Sequence, residues 1–385
     1  MSTFLGFPRA TGRPGIRNHL VIVSMCGLNA PGARKVAAGL PDAILISSPY
    51  GRGQVGADKA FHFHMLSAFA THPNTGAVIV LAPDDGLCDR LVEAINTTDR
   101  PVVGFSLQCW GEDGTAMTDA AIAEGHRLLA KVQAELRAEC AISDIVIAAE
   151  CGHSDASSGI VSNPLVGDLF DYHIAQGGAA VFAETLEWLG CEPGLRARCK
   201  TPEIAERLMA LVEARHAITK AAGHDVHIGN PGPQNHDGGI TTLEEKSLGA
   251  IAKGGTGPIV GALGEGEAVT GAGLHLMDTP TLSPESISSM VAGGAQLVCF
   301  TTGHGNPYGS ALAPTIKLTA NPETAARLPD QIDFDASDVF IGRSERASLL
   351  PDLVDLMGNI CSGALTAVER NNEGDEVISR LGASV

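Results

Sequence analysis

The first 140 residues alternate short apolar runs with longer stretches in which apolar positions recur at helical spacing. The short runs are continuously apolar, which is typical of strands covered on both faces of a parallel sheet. The predicted strands are 20–24, 43–47, 77–81 and 102–106, and the predicted helices are 30–40, 61–71, 87–96 and 119–139. This order predicts a Rossmann-like α/β domain with a parallel sheet over residues 1–140.

The same alternation resumes after residue 141, with longer polar connections. The predicted strands are 144–150, 179–184, 296–301 and 315–319, and the predicted helices are 163–176, 202–222, 241–252, 349–363 and 366–381. Residues 223–239 form a long polar segment, and such segments inside compact domains are usually functional. We therefore expect residues 141–385 to form a second Rossmann-like α/β domain, elaborated with long glycine-rich active-site loops.

Composition narrows the classes of protein that fit. The chain has 385 residues and a formal charge of −18, which argues against nucleic acid as a partner because phosphates are bound by clustered Lys and Arg. The sequence has no uninterrupted run of 18 apolar residues, so we expect no membrane partner. The nine cysteines include no C-x-x-C pair, which is typical of reduced thiols and predicts a cytoplasmic location.

Three polar turns are punctuated by glycine, at residues 151–159, 230–239 and 301–306, and the first and third come directly after predicted strands. Open α/β sheets bind ligands outside the carboxyl ends of their strands, and a turn that leads into a helix offers N–H groups to an anion. The alternative is structural, since Ser, Asp and Gly also form turns and helix caps. The sequence contains neither G-x-G-x-x-G after the first strand nor G-x-x-x-x-G-K-[ST], so we expect no dinucleotide cofactor.

Several stretches in and around these turns match one family in its order along the chain. They are residues 12–18, 151–159 with Asn163-Pro164, Glu184-Thr185, 238–249, 277–280, 299–303 and 314–317. On these residues the chain resembles the altronate/galactarate dehydratase family of the large-subunit type, which includes the large subunit of sulfolactate sulfo-lyase. Residues 50–56 and 82–85 lack the cysteines of the dehydratases, and the first of these stretches is closer to the sulfo-lyase.

The resemblance implies a lyase that removes a β-substituent from a small anionic 2-hydroxy acid. We expect loss of water from a sugar acid such as altronate or galactarate, giving a 2-keto-3-deoxy acid. One alternative is release of sulfite from sulfolactate to give pyruvate, and another is a non-catalytic anion-binding α/β protein. The resemblance also implies a divalent metal ion (Fe²⁺, Mn²⁺ or Mg²⁺), a separate small β-clip subunit, and a homo-oligomer of the large chain.

Eliminating water from a 2-hydroxy acid needs a site for the carboxylate, a base that reaches C2 and an acid for the leaving hydroxyl. The catalytic candidates are Lys246, His236, His304 and Glu184. The candidates for substrate binding are Arg17, Ser154, Asp155, Ser158, Asn163, Gly238, Gly239, Thr241, Thr242, Thr301, Thr302, Gly303 and Lys317. The metal-ligand candidates are Cys151, Asp155, Glu245 and Asp278. Structural alternatives stay open, since Arg17 and Lys317 also suit ion pairs and Cys151 suits a buried thiol.

Overall fold

The computed structural model of the protein describes residues 2–226 and 228–382. The chain forms two compact units, and neither is a continuous stretch of sequence. The N-terminal unit comprises Leu5–Cys140 and Asp375–Val385, and the C-terminal unit comprises Met1–Phe4 and Ala141–Gly374. No helix among the described residues has the length and apolar character that crossing a bilayer takes.

A four-stranded parallel sheet in the order β3-β2-β4-β5 organises the N-terminal unit. The strands in this part of the chain are β1 (Thr3–Gly6), β2 (His19–Ser24), β3 (Ile44–Ser47), β4 (Thr75–Ala82), β5 (Val102–Ser106) and β6 (Ala138–Ala141), and β1 pairs with β6. The helices are α1 (Ala30–Gly39), α2 (Gly56–Ala70), α3 (Asp85–Ile95) and α4 (Gly114–Ala134).

The core of this unit lies where α1 and α4 pack on β2 and β4. Leu20 and Ile22 of β2 and Ile79 of β4 are fully buried against Leu40 and Leu128 from the helical layer. Full burial of each such side chain stabilises the fold by about 1.5–3 kcal/mol. Every residue of β4 is buried, which explains why its sequence is continuously apolar.

The segment that begins at Asp375 packs on the N-terminal unit. The backbone N–H of Leu381 donates a hydrogen bond of 3.0 Å to Asp58 Oδ1 in the first turn of α2. The Arg380 guanidinium lies 4.6 Å from the centroid of the Tyr50 ring. These contacts explain why the end of the chain groups with residues far from it in sequence.

The C-terminal unit contains a seven-stranded parallel sheet in the order β13-β12-β11-β7-β8-β10-β9. Its strands are β7 (Val146–Cys151), β8 (Ala179–Phe182), β9 (Ile259–Leu263), β10 (Gly273–Met277), β11 (Leu297–Thr301), β12 (Thr315–Thr319) and β13 (Phe334–Asp335). The helices are α5 (Asn163–Ala175), α6 (Glu192–Arg198), α7 (Pro202–Ala221), α8 (Pro233–Asp237), α9 (Leu243–Ile251), α10 (Ser283–Ala292), α11 (Pro322–Arg327), α12 (Ser337–Phe340), α13 (Arg346–Cys361) and α14 (Ala367–Asn371).

The prediction of an α/β chain with parallel sheets is confirmed. The prediction of a long helix over 366–381 was wrong. Thr366 and Glu369 form a capping box that starts α14, but Asn372 adopts a left-handed conformation (φ 55°) and ends the helix at Asn371. The helix predicted at 119–139 begins earlier, at Gly114, because Asp113 caps it by accepting hydrogen bonds from Thr115 and Ala116.

Candidate active site

Three neighbouring strands of the large sheet deliver polar side chains to one edge. β7 ends at Glu150 and Cys151, β8 is followed closely by Glu184, and β10 is followed by Asp278. Because parallel strands end at the same edge of a sheet, these residues come together although they are far apart in sequence. Glu187 joins them from a short 3₁₀ helix, Thr185–Trp188.

Cys151, Glu184 and Glu187 form a buried cluster, which we call the acidic cluster. Cys151 Sγ lies 3.4 Å from Glu187 Oε2 and 3.8 Å from Glu184 Oε2. One ligand atom from each of the three residues lies within 4.8 Å of the other two. A thiol and two carboxylates at this spacing are a donor set for a cation.

Two lysines supply positive charge to the acidic cluster. Lys253 is 1% exposed, and its Nζ lies 2.9 Å from Glu184 Oε2, 3.2 Å from Cys151 Sγ and 3.9 Å from Glu187 Oε2. Lys246, one turn inside α9, places its Nζ 3.0 Å from Glu187 Oε1 and 2.7 Å from Asn230 Oδ1. Each buried carboxylate therefore has a cation, which limits the energetic penalty of burying it.

Burial and charge shift the ionisation of these groups in different directions. Burial, reinforced by Glu187, raises the pKa of Glu184. Burial also acts to raise the pKa of Glu187, but Lys246 and Lys253 outweigh it, so that this pKa lies below its ordinary value. Burial and then Glu187 raise the pKa of the Cys151 thiol well above its usual range. Glu187 is thus the carboxylate most firmly held in its charged form.

Burial lowers the pKa of Lys246, but the charge of Glu187 more than compensates, so the net shift is upward. Lys246 is therefore an ammonium group near neutral pH and a donor of hydrogen bonds. Burial and then Glu184 raise the pKa of Glu150 well above its ordinary value, and Ser286 Oγ donates a 2.8 Å hydrogen bond to Glu150 Oε2.

A clamp from the neighbouring strand fixes the backbone at Glu184. Glu184 has a left-handed conformation (φ 73°), which is unfavourable for a side chain of this kind by about 1–2 kcal/mol. Its N–H donates a 2.9 Å hydrogen bond to Thr279 Oγ1. Thr185 Oγ1 donates a 2.5 Å hydrogen bond to Asp278 Oδ1. The Arg215 guanidinium donates 3.0 Å hydrogen bonds to both carboxylate oxygens of Asp278. Asp278, predicted as a metal ligand, instead belongs to this clamp.

A pocket of about 450 Å³ opens beside the acidic cluster. Its wall includes the three cluster residues, Lys246, and the first turn of α10, which has no side-chain cap. The remaining lining residues are Gly152, His153, Ser154, Gly232, Pro233, Gln234, Asn235, Thr281, Leu282, Ser283, Pro284 and Asn306. The pocket therefore combines a positive helix end and an ammonium group with two carboxylates and neutral hydrogen-bonding groups, and the helix end is the place suited to an anionic group of a small polar ligand.

His153 is the imidazole that lines this pocket. Its Nδ1 lies 2.8 Å from the carbonyl oxygen of Gly305. Because a carbonyl oxygen only accepts hydrogen bonds, Nδ1 carries the hydrogen and Nε2 is the basic atom of the neutral ring. Of the predicted histidines, His304 places Nε2 3.2 Å from the Gln234 carbonyl, and His236 is exposed on α8 and lies outside the pocket lining.

Asp155 organises the turn at 151–159. Its Oδ1 accepts hydrogen bonds from Ser157 Oγ at 2.6 Å and from the N–H and Oγ of Ser158 at 3.0 and 3.2 Å, and its Oδ2 accepts one from Asn321 Nδ2 at 2.8 Å. Both carboxylate oxygens are therefore used within the turn and its surroundings. Asp155, predicted as a metal ligand and to bind substrate, and Ser158, predicted to bind substrate, thus shape the wall to which Ser154 contributes.

The three glycine-punctuated turns contact one another. The N–H of Ala156 donates a 2.8 Å hydrogen bond to the Gly238 carbonyl, and the N–H of Gly303 donates one of 3.2 Å to the His153 carbonyl. A Cβ on Gly238 would meet Asp155 Cβ at 2.6 Å, so this approach requires glycine. Gly239, next to it, has a φ of 91°.

Other predicted site residues are engaged in local structure. Asn163 accepts a 2.5 Å hydrogen bond from Thr301, and Thr302 accepts one of 3.0 Å from the Gly305 N–H. Glu245 accepts hydrogen bonds from Thr241, and Thr242 caps α9. Lys317 is buried over the Phe300 ring and donates to the Tyr308 carbonyl. Arg17 lies in the N-terminal unit, where its guanidinium donates to the Ile16 carbonyl at 2.8 Å.

Three residues of the site were missed by sequence reasoning: Glu187, Lys253 and His153. Glu187 lies three positions after Glu184, a spacing that places both on one side of a helical turn. Lys253 lies seven positions after Lys246, two helical turns further along the same face. His153 stood in the predicted turn but was not selected.

The donor chemistry of the acidic cluster fits a divalent metal ion. Two carboxylate oxygens and a sulfur converge, and all three residues also line the open pocket, which leaves room for a ligand on that side. A mixed sulfur and oxygen set suits a borderline ion such as Fe²⁺ better than Mg²⁺. Of the predicted ligands, only Cys151 belongs to this cluster.

Comparison with known proteins identifies the family of this chain. The family described as "D-galactarate/Altronate dehydratase, C-terminal" matches residues 142–384, and "D-galactarate dehydratase/Altronate hydrolase, second domain" matches residues 6–135. The chain belongs to the D-galactarate/altronate dehydratase family.

Individual relatives point to more than one reaction. The chain is 34% identical over 382 residues to (2R)-sulfolactate sulfo-lyase subunit beta of Chromohalobacter salexigens, covering 98% of this chain and 97% of that protein. It is 33% identical to the altronate dehydratase of Escherichia coli, covering 98% and 78% of the two chains. It is 35% identical to the galactarate dehydratase (L-threo-forming) of Escherichia coli, over 57% and 42%.

Proposed function

We propose that the chain is the large subunit of a hydro-lyase acting on a 2-hydroxy sugar acid such as altronate or galactarate. The observation that carries the proposal is the pocket in which the acidic cluster, Lys246 and His153 face one space. The dehydratases among its relatives support the reaction class. The hydrogen on C2 is removed, the C3–O bond breaks, water leaves, and the enol tautomerises to a 2-keto-3-deoxy acid.

His153 is the base in this proposal. Its Nε2 is basic because Nδ1–H donates to Gly305, and its side chain lines the pocket. A positioned imidazole that accepts a proton contributes about 10²–10⁴ to a rate. The Gly305 carbonyl also fixes the orientation of the ring.

Lys246 is the acid that protonates the leaving hydroxyl. Glu187 Oε1 and Asn230 Oδ1, at 3.0 and 2.7 Å from Nζ, hold its ammonium group at the pocket wall. The substrate carboxylate is placed at the first turn of α10, where the positive end of the helix and Ser283 line the pocket.

Cys151, Glu184 and Glu187 would hold the divalent ion that the family resemblance implies. Such an ion supplies Lewis-acid stabilisation of negative charge on the substrate. The clamp formed by Thr279, Asp278 and Arg215 keeps the Glu184 carboxylate directed at this position.

A separate small subunit is part of the proposal. The chain spans 97% of the sulfo-lyase relative, which is named subunit beta, but 78% of the Escherichia coli altronate dehydratase. A homo-oligomer of the large chain and a cytoplasmic location also remain proposals.

Release of sulfite from sulfolactate is the second candidate. It is favoured by the near-complete overlap with the sulfo-lyase subunit. That reaction breaks a C3–S bond in place of the C3–O bond and gives pyruvate through the same enol chemistry. It needs no proton on the leaving group, so Lys246 would then bind the sulfonate rather than protonate it.

The test is a substrate panel with the purified chain, alone and together with a small chain encoded beside it, in the presence of Mn²⁺ or Fe²⁺. The 2-keto acid formed from altronate, galactarate or another aldonate or aldarate without sulfite supports the hydro-lyase. Sulfite and pyruvate from sulfolactate support the second candidate. Saturable binding of these acids without product overturns both and leaves a non-catalytic anion-binding protein.

Two matched histidine variants test whether the product is formed in this pocket. His153→Gln is expected to lower kcat by about 10²–10⁴. His126→Gln makes the same change on the exposed surface of α4 and is expected to leave kcat unchanged. Equal rates for the two variants would remove His153 from the mechanism.

A further inference from the structure

The ammonium group of Lys253 lies against the acidic cluster, at the place that a metal ion would take. Cys151 Sγ contacts Glu184 Oε2 and Glu187 Oε2, and Lys253 Nζ lies 3.2, 2.9 and 3.9 Å from these three atoms in that order. The lysine is 1% exposed, so no solvent screens its charge from the cluster. An ammonium and a divalent ion would share the same three ligands.

The two lysines of the site differ in how they meet the acids. Lys246 reaches Glu187 through Oε1 and also binds Asn230, on the pocket side. Lys253 reaches Glu184 and Glu187 through the Oε2 atoms that face Cys151. Only Lys253 therefore competes directly for the atoms that a metal ion would use.

We propose that Lys253 is an internal competitor that weakens divalent-ion binding at the acidic cluster and preserves its shape when no ion is bound. The inference rests on the proposed function, because it takes the cluster as the metal site. Two like charges repel strongly at this separation when both are buried. The ion therefore binds only as the Lys253 ammonium gives up its contacts with Glu184 and Cys151.

The same contacts mean that Lys253 also contributes to the stability of the folded chain. Removing one partner of a buried ion pair leaves the other charge uncompensated, which is strongly destabilising. Without Lys253, a divalent ion is the natural replacement for the missing charge. Stability of a Lys253 variant should then depend on the ion, whereas stability of the natural chain should depend on it less.

The experiment is titration of the full-length chain with Mn²⁺ alone, followed by calorimetry and by the shift in Tm. Lys253→Met removes the charge and keeps a side chain of similar length. We expect it to bind Mn²⁺ at least tenfold more tightly than the natural chain, with a lower Tm in ion-free buffer and a larger increase on adding Mn²⁺. The control is Lys317→Met, which makes the same change at a buried lysine that lies over the Phe300 ring. It should bind Mn²⁺ as the natural chain does.

Each possible result of this experiment supports or contradicts the role of Lys253. If the Lys253→Met chain is unfolded without ion, Mn²⁺ should restore its far-UV circular dichroism, and failure to do so overturns the inference. Equal or weaker Mn²⁺ binding by Lys253→Met also overturns it, while binding by the natural chain that Glu184→Gln abolishes leaves the proposed metal centre in place. If neither the natural chain nor Lys253→Met binds Mn²⁺, both the metal centre and the inference fail.

Discussion

The hydroxyl of Thr279 accepts a 2.9 Å hydrogen bond from the backbone N–H of Glu184. This bond joins the segment after β10 to the segment after β8 and supports a left-handed residue that carries an acid of the cluster. The same hydroxyl donates to Ser286 Oγ at 3.2 Å, and Ser286 donates to Glu150. One threonine thus links two carboxyl groups of the site.

Thr279→Val should lower the free energy of unfolding by about 1–3 kcal/mol, because it leaves the buried N–H of Glu184 without an acceptor. Thr279→Ser keeps the hydroxyl and should lose less. Urea denaturation followed by circular dichroism measures both. Equal stability of the two variants would show that the hydrogen bond does not support the Glu184 conformation.

Lys246→Met should reduce kcat for the dehydration by about 10²–10⁴, the range of a lost proton donor. The effect on KM should be smaller, because the substrate carboxylate is placed at α10 and not at Lys246. Steady-state kinetics on the sugar acid that the panel identifies separate the two parameters. A rise in KM with unchanged kcat would make Lys246 a binding group only.

Lys317 should make stability depend on pH between about pH 7 and 10.5. Burial lowers its pKa from 10.5 to about 7, and the negative charges of Glu373, Asp333 and Glu150 only partly oppose this. In that range the unfolded chain binds a proton at this lysine that the folded chain does not, so its contribution favours folding more as pH rises. The slope from one such group is at most about 1.4 kcal/mol per pH unit.

Lys317→Met removes this contribution. Chemical denaturation of the natural chain and the variant at pH 7, 8 and 9 should give a difference in unfolding free energy that shifts in favour of the natural chain as pH increases. A constant difference across the three pH values would place the pKa of Lys317 outside the window.

Cys151→Ser should change which ions the chain prefers. Sulfur favours borderline ions, whereas a hydroxyl does not, so affinity for Fe²⁺ and Zn²⁺ should fall more than affinity for Mn²⁺ or Mg²⁺. Competition titrations under anaerobic conditions give the ratios. Unchanged ratios would mean that the thiol stands beside the site without binding the ion.

The parallel strands were predictable because burial on both faces requires continuous apolar runs. Every residue of β8, Ala-Ala-Val-Phe, is buried and apolar, and this strand was predicted. β10 is also fully buried but was missed, since Gly273 and His275 interrupt its apolar pattern. β9, its neighbour, carries Gly261, which packs against His275 where a Cβ would clash.

The site was only partly predictable, for a different reason. Cys151 and Glu184 stand within stretches that match the family, whereas Lys253 lies outside them and its sequence signal is only its spacing from Lys246. Its role comes from the order of strands in the sheet, which brings the ends of β7 and β8 together beside the end of α9. Asp155 and Asp278 looked like metal ligands because sequence does not reveal that their oxygens are already taken by Asn321 and Arg215.

The division of the chain has a consequence for its synthesis. The segment that begins at Asp375 belongs to the unit built mainly from Leu5–Cys140, and Leu381 covers Asp58 there. During translation, the N-terminal unit emerges from the ribosome long before this segment exists. The first turn of α2 therefore stays uncovered while more than 230 residues of the C-terminal unit, Ala141–Gly374, are synthesised. Cutting the gene at residue 140 to express that unit alone would leave it permanently in this unfinished state.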